Sequence, residues 1–200
     1  MSKFKMNFRK ESSVRNAIFI GTLCSSSYLG VYFARNILSA VTPQMIEGGQ
    51  YTTEYIGSLS SVYFMSYAFG QLINGMIGDR IKARYMISFG LILAGICNLI
   101  FPFSLYSSLG SHIAYGLIGF FLSMIYAPMT KVVAENMAPI YATRCSLGYT
   151  FASFFGSPLA GIVAALLLWQ TVFYVGSAIL LIMGVLRLYQ RQCFFCFCIL

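Results

Sequence analysis

Long apolar runs alternate with short polar connections along this chain. Six runs, near residues 16–41, 54–77, 84–104, 109–134, 145–168 and 171–189, are long enough to be membrane-crossing helices. A hydrocarbon core of roughly 30 Å takes about 20 residues of helix. The runs lack the short alternation of an outer-membrane barrel strand, and a helix satisfies its own backbone hydrogen bonds in lipid. The pattern therefore predicts an all-α membrane protein, a six-transmembrane-helix bundle over residues 16–190. An N-terminal segment, 1–15, precedes it and a Cys/Phe-rich tail, 191–200, follows.

Polar residues inside the runs are not scattered. In the first span Ser25, Tyr28, Tyr32, Arg35 and Ser39 recur at intervals of three and four, which places them on one helical face. The second span repeats the arrangement with Ser60, Tyr63, Tyr67, Gln71 and Asn74. Two such stripes predict a shared wet cavity, against the plainer reading of belt tyrosines and helix-joining amides. A belt explains only the ends of a span, not a stripe along it.

Of the thirteen Lys and Arg residues, twelve border the apolar runs and Arg35 alone reads as lying within one. A charge there is costly and marks a binding site, unless it snorkels to the nearer surface. Glu135 is the one acidic residue placed within a span, near its edge, so Arg35 lacks an intramembrane carboxylate partner. A guanidinium matches phosphate or carboxylate with two parallel charge-assisted hydrogen bonds, which predicts a small anionic substrate.

Composition agrees with a membrane setting: 58% of residues are hydrophobic and 9% charged. The net charge of +8 could suggest nucleic acid, but the basic residues sort by side instead. Lys3, Lys5, Arg9, Lys10 and Arg15 precede the first span; Arg80, Lys82 and Arg84 follow the second; Lys131 and Arg144 border the fourth and fifth; Arg187 and Arg191 follow the sixth. The alternate connections carry Glu47 and Glu54, His112, or Trp169 with Gln170. The positive-inside rule puts both termini in the cytoplasm, with the chain in the cell membrane and no nucleic-acid partner. The first apolar run is too long for a signal-peptide core and should be retained.

Little points to catalysis, a cofactor or a metal. His112 is the single histidine, and no paired carboxylates, Ser/His/Asp set or nucleotide-binding Gly motif occurs. Cys24, Cys97 and Cys145 read as packing residues. Cys193, Cys196 and Cys198 lack nearby histidines for a metal site, and Phe197 stands where prenylation needs Cys. The tail composition fits a reading frame shifted near Arg191, which would make the chain a truncated fragment. Small residues supply packing: Gly116, Gly119 and Ser123 in the fourth span, then Ser153, Gly156, Ser157, Ala160, Gly161 and Ala164 in the fifth, where Pro158 should bend the rod.

The connection after the second span reads Gly75-Met-Ile-Gly78-Asp79-Arg80-Ile81-Lys82-Ala83-Arg84. It resembles the loop signature of the major facilitator superfamily, G-x-x-x-D-R-x-G-R-R, with Lys82 in place of a Gly. The organophosphate:phosphate antiporter branch has a similar D-R-x-x-x-R loop. The first-span segment Tyr32-Phe33-Ala34-Arg35-Asn36 through Pro43 also looks like the first helix of that branch's glycerol-3-phosphate and hexose-phosphate transporters. The similarity covers roughly residues 25–190.

The resemblance implies the N-terminal half of a two-bundle transporter that exchanges an organophosphate for phosphate by alternating access, without cofactor. It makes Arg35 the phosphate ligand, with Tyr28, Tyr32, Tyr63, Tyr67, Gln71 and Asn74 as orienting donors and Gly75, Asp79, Arg80 and Arg84 as a gating loop. Gln71 stands where those transporters carry Lys, and Phe151 or a neighbour where glycerol-phosphate carriers carry His. A monoanion or polyol acid is then also accommodated. The partner would be a second six-helix half, either a missing C-terminal half or another copy of this chain. A membrane-bound sugar-phosphate sensor is the alternative.

Overall fold

The computed structural model describes residues 2–49, 51–78, 81–136 and 139–197, with side chains for Ile18, Ile20–Tyr189 apart from residues 50, 79–80 and 135–138. Asp79 and Arg80, the Glu135 side chain, the N-terminal basic side chains and those of the Cys-rich tail lie outside the described residues. The described chain is helical: α1 (Ser2–Glu47), α2 (Thr53–Gly78), α3 (Ala83–Ser104), α4 (Ser108–Ser123), α5 (Tyr126–Asn136), α6 (Pro139–Leu166) and α7 (Trp169–Phe197).

The fourth apolar run is not one rod, as its length predicted, but breaks at Met124 and Ile125. Pro128 explains the break. It has no N–H to donate to the Met124 carbonyl, and its ring crowds that carbonyl. The chain tightens instead, with Met124 N–H donating to Phe121 O at 3.1 Å and Ile125 N–H to Leu122 O at 3.4 Å. Pro158, where a bend was expected, sits inside a helix that continues without interruption from Pro139 to Leu166.

Among the described residues, four stretches are long and apolar enough to cross a membrane: Ala83–Ser104, Ser108–Ala134 (α4 and α5 together), Pro139–Leu166 and Trp169–Tyr189. Helices α1 and α2 have the length, at 46 and 26 residues, but their polar stripes dilute their hydropathy. Charged and amide groups are tolerated in such helices when they face neighbours or a wet cavity. The result is the predicted all-α membrane bundle.

Three close pairings hold the bundle together, α1 with α6, α3 with α7 and α2 with α4. Small residues set each. On the α2–α4 seam a Cβ added at Gly119 would lie 2.5 Å from the Tyr63 carbonyl oxygen, and one at Gly70 would strike Ser123 Oγ. Across α1–α6, a Cβ at Gly156 would lie 2.6 Å from Tyr32 Cβ, and Ala160 and Ala164 on the same helix are buried. Gly161, also expected at a contact, has open space around it. The α3–α7 seam uses Gly95, Gly176 and Gly184, which the spacing analysis did not single out.

At the end of the bundle where α2, α4 and α7 begin, Tyr51 stacks on Tyr55 at 5.7 Å and meets the edge of Trp169 at 6.3 Å. His112 joins this rim, 5.5 Å from the Tyr55 ring. Gln44 Nε2 donates to the carbonyls of Ala164 and Leu167, satisfying orphan acceptors at the end of α6.

Candidate functional site

The α1 stripe stays together. Ser25, Tyr28, Tyr32 and Arg35 are half-buried and Ser39 is exposed, whereas Cys24, Ser27, Val31, Ala34 and Leu38 on the adjoining face are buried. The α2 stripe divides between two environments. Tyr63 and Asn74 turn into the α4 seam, while Tyr67 and Gln71 face the α1 stripe with Phe64 beside them.

Arg35 is the centre of the second group. Its guanidinium carbon lies 5.0 Å from the Tyr67 ring centroid, 5.4 Å from Phe64 and 5.7 Å from Tyr32. Cation–π attraction to three ring faces stabilises a partly desolvated charge but leaves the planar donor edge unspent. The carboxylates among the described residues are remote. Glu47 is ~18 Å further along α1, and Glu54 is ~15 Å along α2 from Phe64, at about 1.5 Å rise per residue.

Below Arg35, Tyr28 is a hub for rings from three helices. It lies 4.9 Å from Tyr32, 5.4 Å edge-on from Tyr149 of α6 and 6.1 Å from Tyr126 at the start of α5. The helix break before Tyr126 therefore delivers a phenol to the site. Gln71 Nε2 donates to the Tyr67 hydroxyl at 3.1 Å and is exposed, so the amide carbonyl remains available.

Other expected site residues are placed elsewhere. Tyr63 is 2% exposed, its ring parallel to Tyr67 at 6.2 Å and 5.2 Å from Tyr115, and its hydroxyl has no hydrogen-bond partner among the described residues. Asn74, 1% exposed, donates to Ser123 Oγ at 2.8 Å and to the Phe120 carbonyl at 3.4 Å, so it joins α2 to α4 rather than reaching Arg35. Gly75 and Gly78 line a groove of about 460 Å³ with Pro128 and Lys131. Lys131 Nζ donates to the Gly78 carbonyl at 3.4 Å, a basic group on a helix C-terminus. Arg84 stacks on the neighbouring Tyr85 ring at 4.5 Å and bonds its hydroxyl at 3.0 Å.

Sequence reasoning missed Phe64, Tyr126, Tyr149 and the setting of Arg187. Phe64 sits three residues before Tyr67, a helical neighbour that apolarity concealed. Arg187 was expected in the connection after the sixth span. It lies inside α7, 2% exposed, with Nε donating to Ser27 Oγ at 3.1 Å. Helix α7 continues past Arg187, and Gly184 draws it close against α3.

The family profile of the Major Facilitator Superfamily matches residues 24–192. The chain belongs to this superfamily. Its relatives include a glycerol-3-phosphate transporter of Bacillus subtilis, 28% identical over 86% of this chain and 40% of the relative. A probable hexose phosphate transport protein of Chlamydia trachomatis is 21% identical over 78% of this chain and 35% of its own length. The membrane sensor protein UhpC of Salmonella typhimurium is 34% identical over 38% of this chain and 17% of its own. The chain thus spans at most 40% of these relatives. They fall in the organophosphate:phosphate antiporter branch that the loop and first-helix motifs resemble.

Proposed function

We propose that this chain forms the N-terminal half-site of a secondary transporter for a small organic anion, an organophosphate or sugar phosphate exchanged for phosphate. One observation carries the reading: Arg35 is held against three aromatic faces with its donor edge free of any carboxylate among the described residues. A guanidinium so placed binds an oxyanion in two parallel hydrogen bonds. Tyr28, Tyr32 and Tyr67 line the approach, and Gln71 orients the Tyr67 hydroxyl. Tyr63 supports Tyr67 from behind, and Asn74 fixes α2 on α4. The loop through Asp79 and Arg80, with Gly75 and Arg84 at its sides, gates movement between two bundles. Both termini face the cytoplasm in the cell membrane, and the second bundle is a C-terminal half or another copy of this chain.

The test is anion binding by the purified chain in lipid nanodiscs, with calorimetric titration of glycerol 3-phosphate, glucose 6-phosphate and inorganic phosphate. Saturable binding that Arg35→Gln abolishes is expected. Binding that ignores the substitution would sink the reading. A second reading, a phosphate-ester sensor, draws on the identity to the sensor protein. Radiolabelled phosphate exchange in proteoliposomes separates the two, since a sensor binds without flux.

A further inference from the structure

Arg187 lies near the end of the apolar stretch Trp169–Tyr189 and is 2% exposed. Its Nε donates to Ser27 Oγ on α1, yet its Nη2 is buried with no hydrogen-bond partner among the described residues. Ser88 on α3 is 0% exposed and its hydroxyl is likewise without a partner. The two orphans stand at one level. A Cβ at Gly95 would meet Leu181 at 3.0 Å and one at Gly184 would meet Ile92 at 2.6 Å, so α3 and α7 run antiparallel. Continuing that register brings Ser88 opposite Arg187.

A guanidinium keeps its proton at any physiological pH, so burial cannot be relieved by neutralisation. One neutral hydroxyl from Ser27 orients the group without balancing its charge, and buried charges are ordinarily paired. A water molecule would fill a hydrogen bond but supply no charge. Two donors at one level around a cation that no carboxylate balances among the described residues call for an anion. Gly184 brings α7 close against Leu91 and Ile92, one turn away, and helices packed this closely favour a monatomic ion over a phosphate group.

The geometry points to a resident halide site, taking chloride, held by Arg187 and Ser88 with Ser27 fixing the guanidinium. It is distinct from the Arg35 site. Ser27 belongs to the buried face of α1, whereas Arg35 lies on the half-buried face, ~12 Å further along the helix. The ion would tie α1, α3 and α7 together and steady the helix that carries Arg35.

The experiment is thermal unfolding of the purified chain in sodium chloride and in sodium gluconate at equal ionic strength, with chloride NMR line widths as the direct reading. Saturating chloride or bromide is expected to raise the midpoint by roughly 2–4 °C, as a native-state ligand does for a chain of this size. Arg187→Gln should abolish both the shift and the line broadening, and Arg35→Gln should leave both intact. Where Arg187→Gln fails to fold, Ser88→Ala removes one hydroxyl and should weaken chloride binding about tenfold. Equal midpoints with no line broadening would overturn the site. So would stabilisation of the Arg35→Gln variant by phosphate or anionic-lipid vesicles, without chloride, that Arg187→Gln removes, or a chloride response lost with Arg35→Gln.

Discussion

The guanidinium of Arg35 on α1 lies over the Tyr67 ring of α2 at 5.0 Å. The two helices otherwise share little packing, because each is held by a different partner, α6 for one and α4 for the other. A cation that bridges two helices not bound to each other can respond to an anion without breaking a packed core. This is the physical basis for the predictions about binding.

Arg35→Lys retains charge and removes the planar fork that both stacks on rings and grips an oxyanion. Affinity for a phosphate ester is expected to fall at least about tenfold in titration calorimetry. Unchanged affinity would mean that the arginine serves only as a point charge.

Gln71 is exposed and donates to the Tyr67 hydroxyl. Gln71→Lys places a second cation beside Arg35. Binding of a dianionic ester should tighten about tenfold at low salt and lose that gain in high salt, while a sugar acid monoanion changes less. Equal effects on both ligands would show that the added charge does not reach the anion.

Asn74 is buried in the α2–α4 seam with Ser123 and Phe120. Asn74→Ala is expected to cost about 1 kcal/mol of stability, within the range for interhelical hydrogen bonds in membranes, and to leave anion affinity unchanged. Denaturant titration and calorimetry on one preparation separate the outcomes. Lost affinity at unchanged stability would place Asn74 in the binding site.

Gly119 faces the Tyr63 carbonyl with no room for a side chain, whereas Gly161 has nothing within 4 Å. Gly119→Val should destabilise by about 1–3 kcal/mol through forced separation of α2 and α4. Gly161→Ala in the exposed part of α6 should be neutral or slightly stabilising, because Ala favours helix. Thermal unfolding of both variants checks the contrast, and equal losses would mean that the seam is looser than the structure shows.

The helical class, the family motif and the place of Arg35 within an apolar run were legible in the chain because each depends on local information. Apolar run length is set by bilayer thickness, and an arginine inside such a run is costly whatever surrounds it. The break at Pro128 was legible in principle, since a missing N–H acts on the carbonyl four residues back. Its value was not, because only the packed bundle shows Tyr126 meeting Tyr28.

What the neighbours do decided the rest. Spacing of three and four marks an arc of helix surface, and it placed Tyr63, Tyr67, Gln71 and Asn74 on one face. The α2–α4 seam, closed by Gly70, Gly116 and Gly119, buries one edge of that arc with Tyr63 and Asn74 and leaves the other edge to Arg35. Arg187 shows the same limit. Periodicity and charge placed it with the solvated basic connections, but it is buried in the bundle and bonded to Ser27 of α1. By itself the sequence determined the helices, the family and the one cation within the first span. Tertiary structure alone decided which polar groups meet that cation and which are buried away from it, because burial depends on the shape of the neighbouring helix and not on the residue's own pattern.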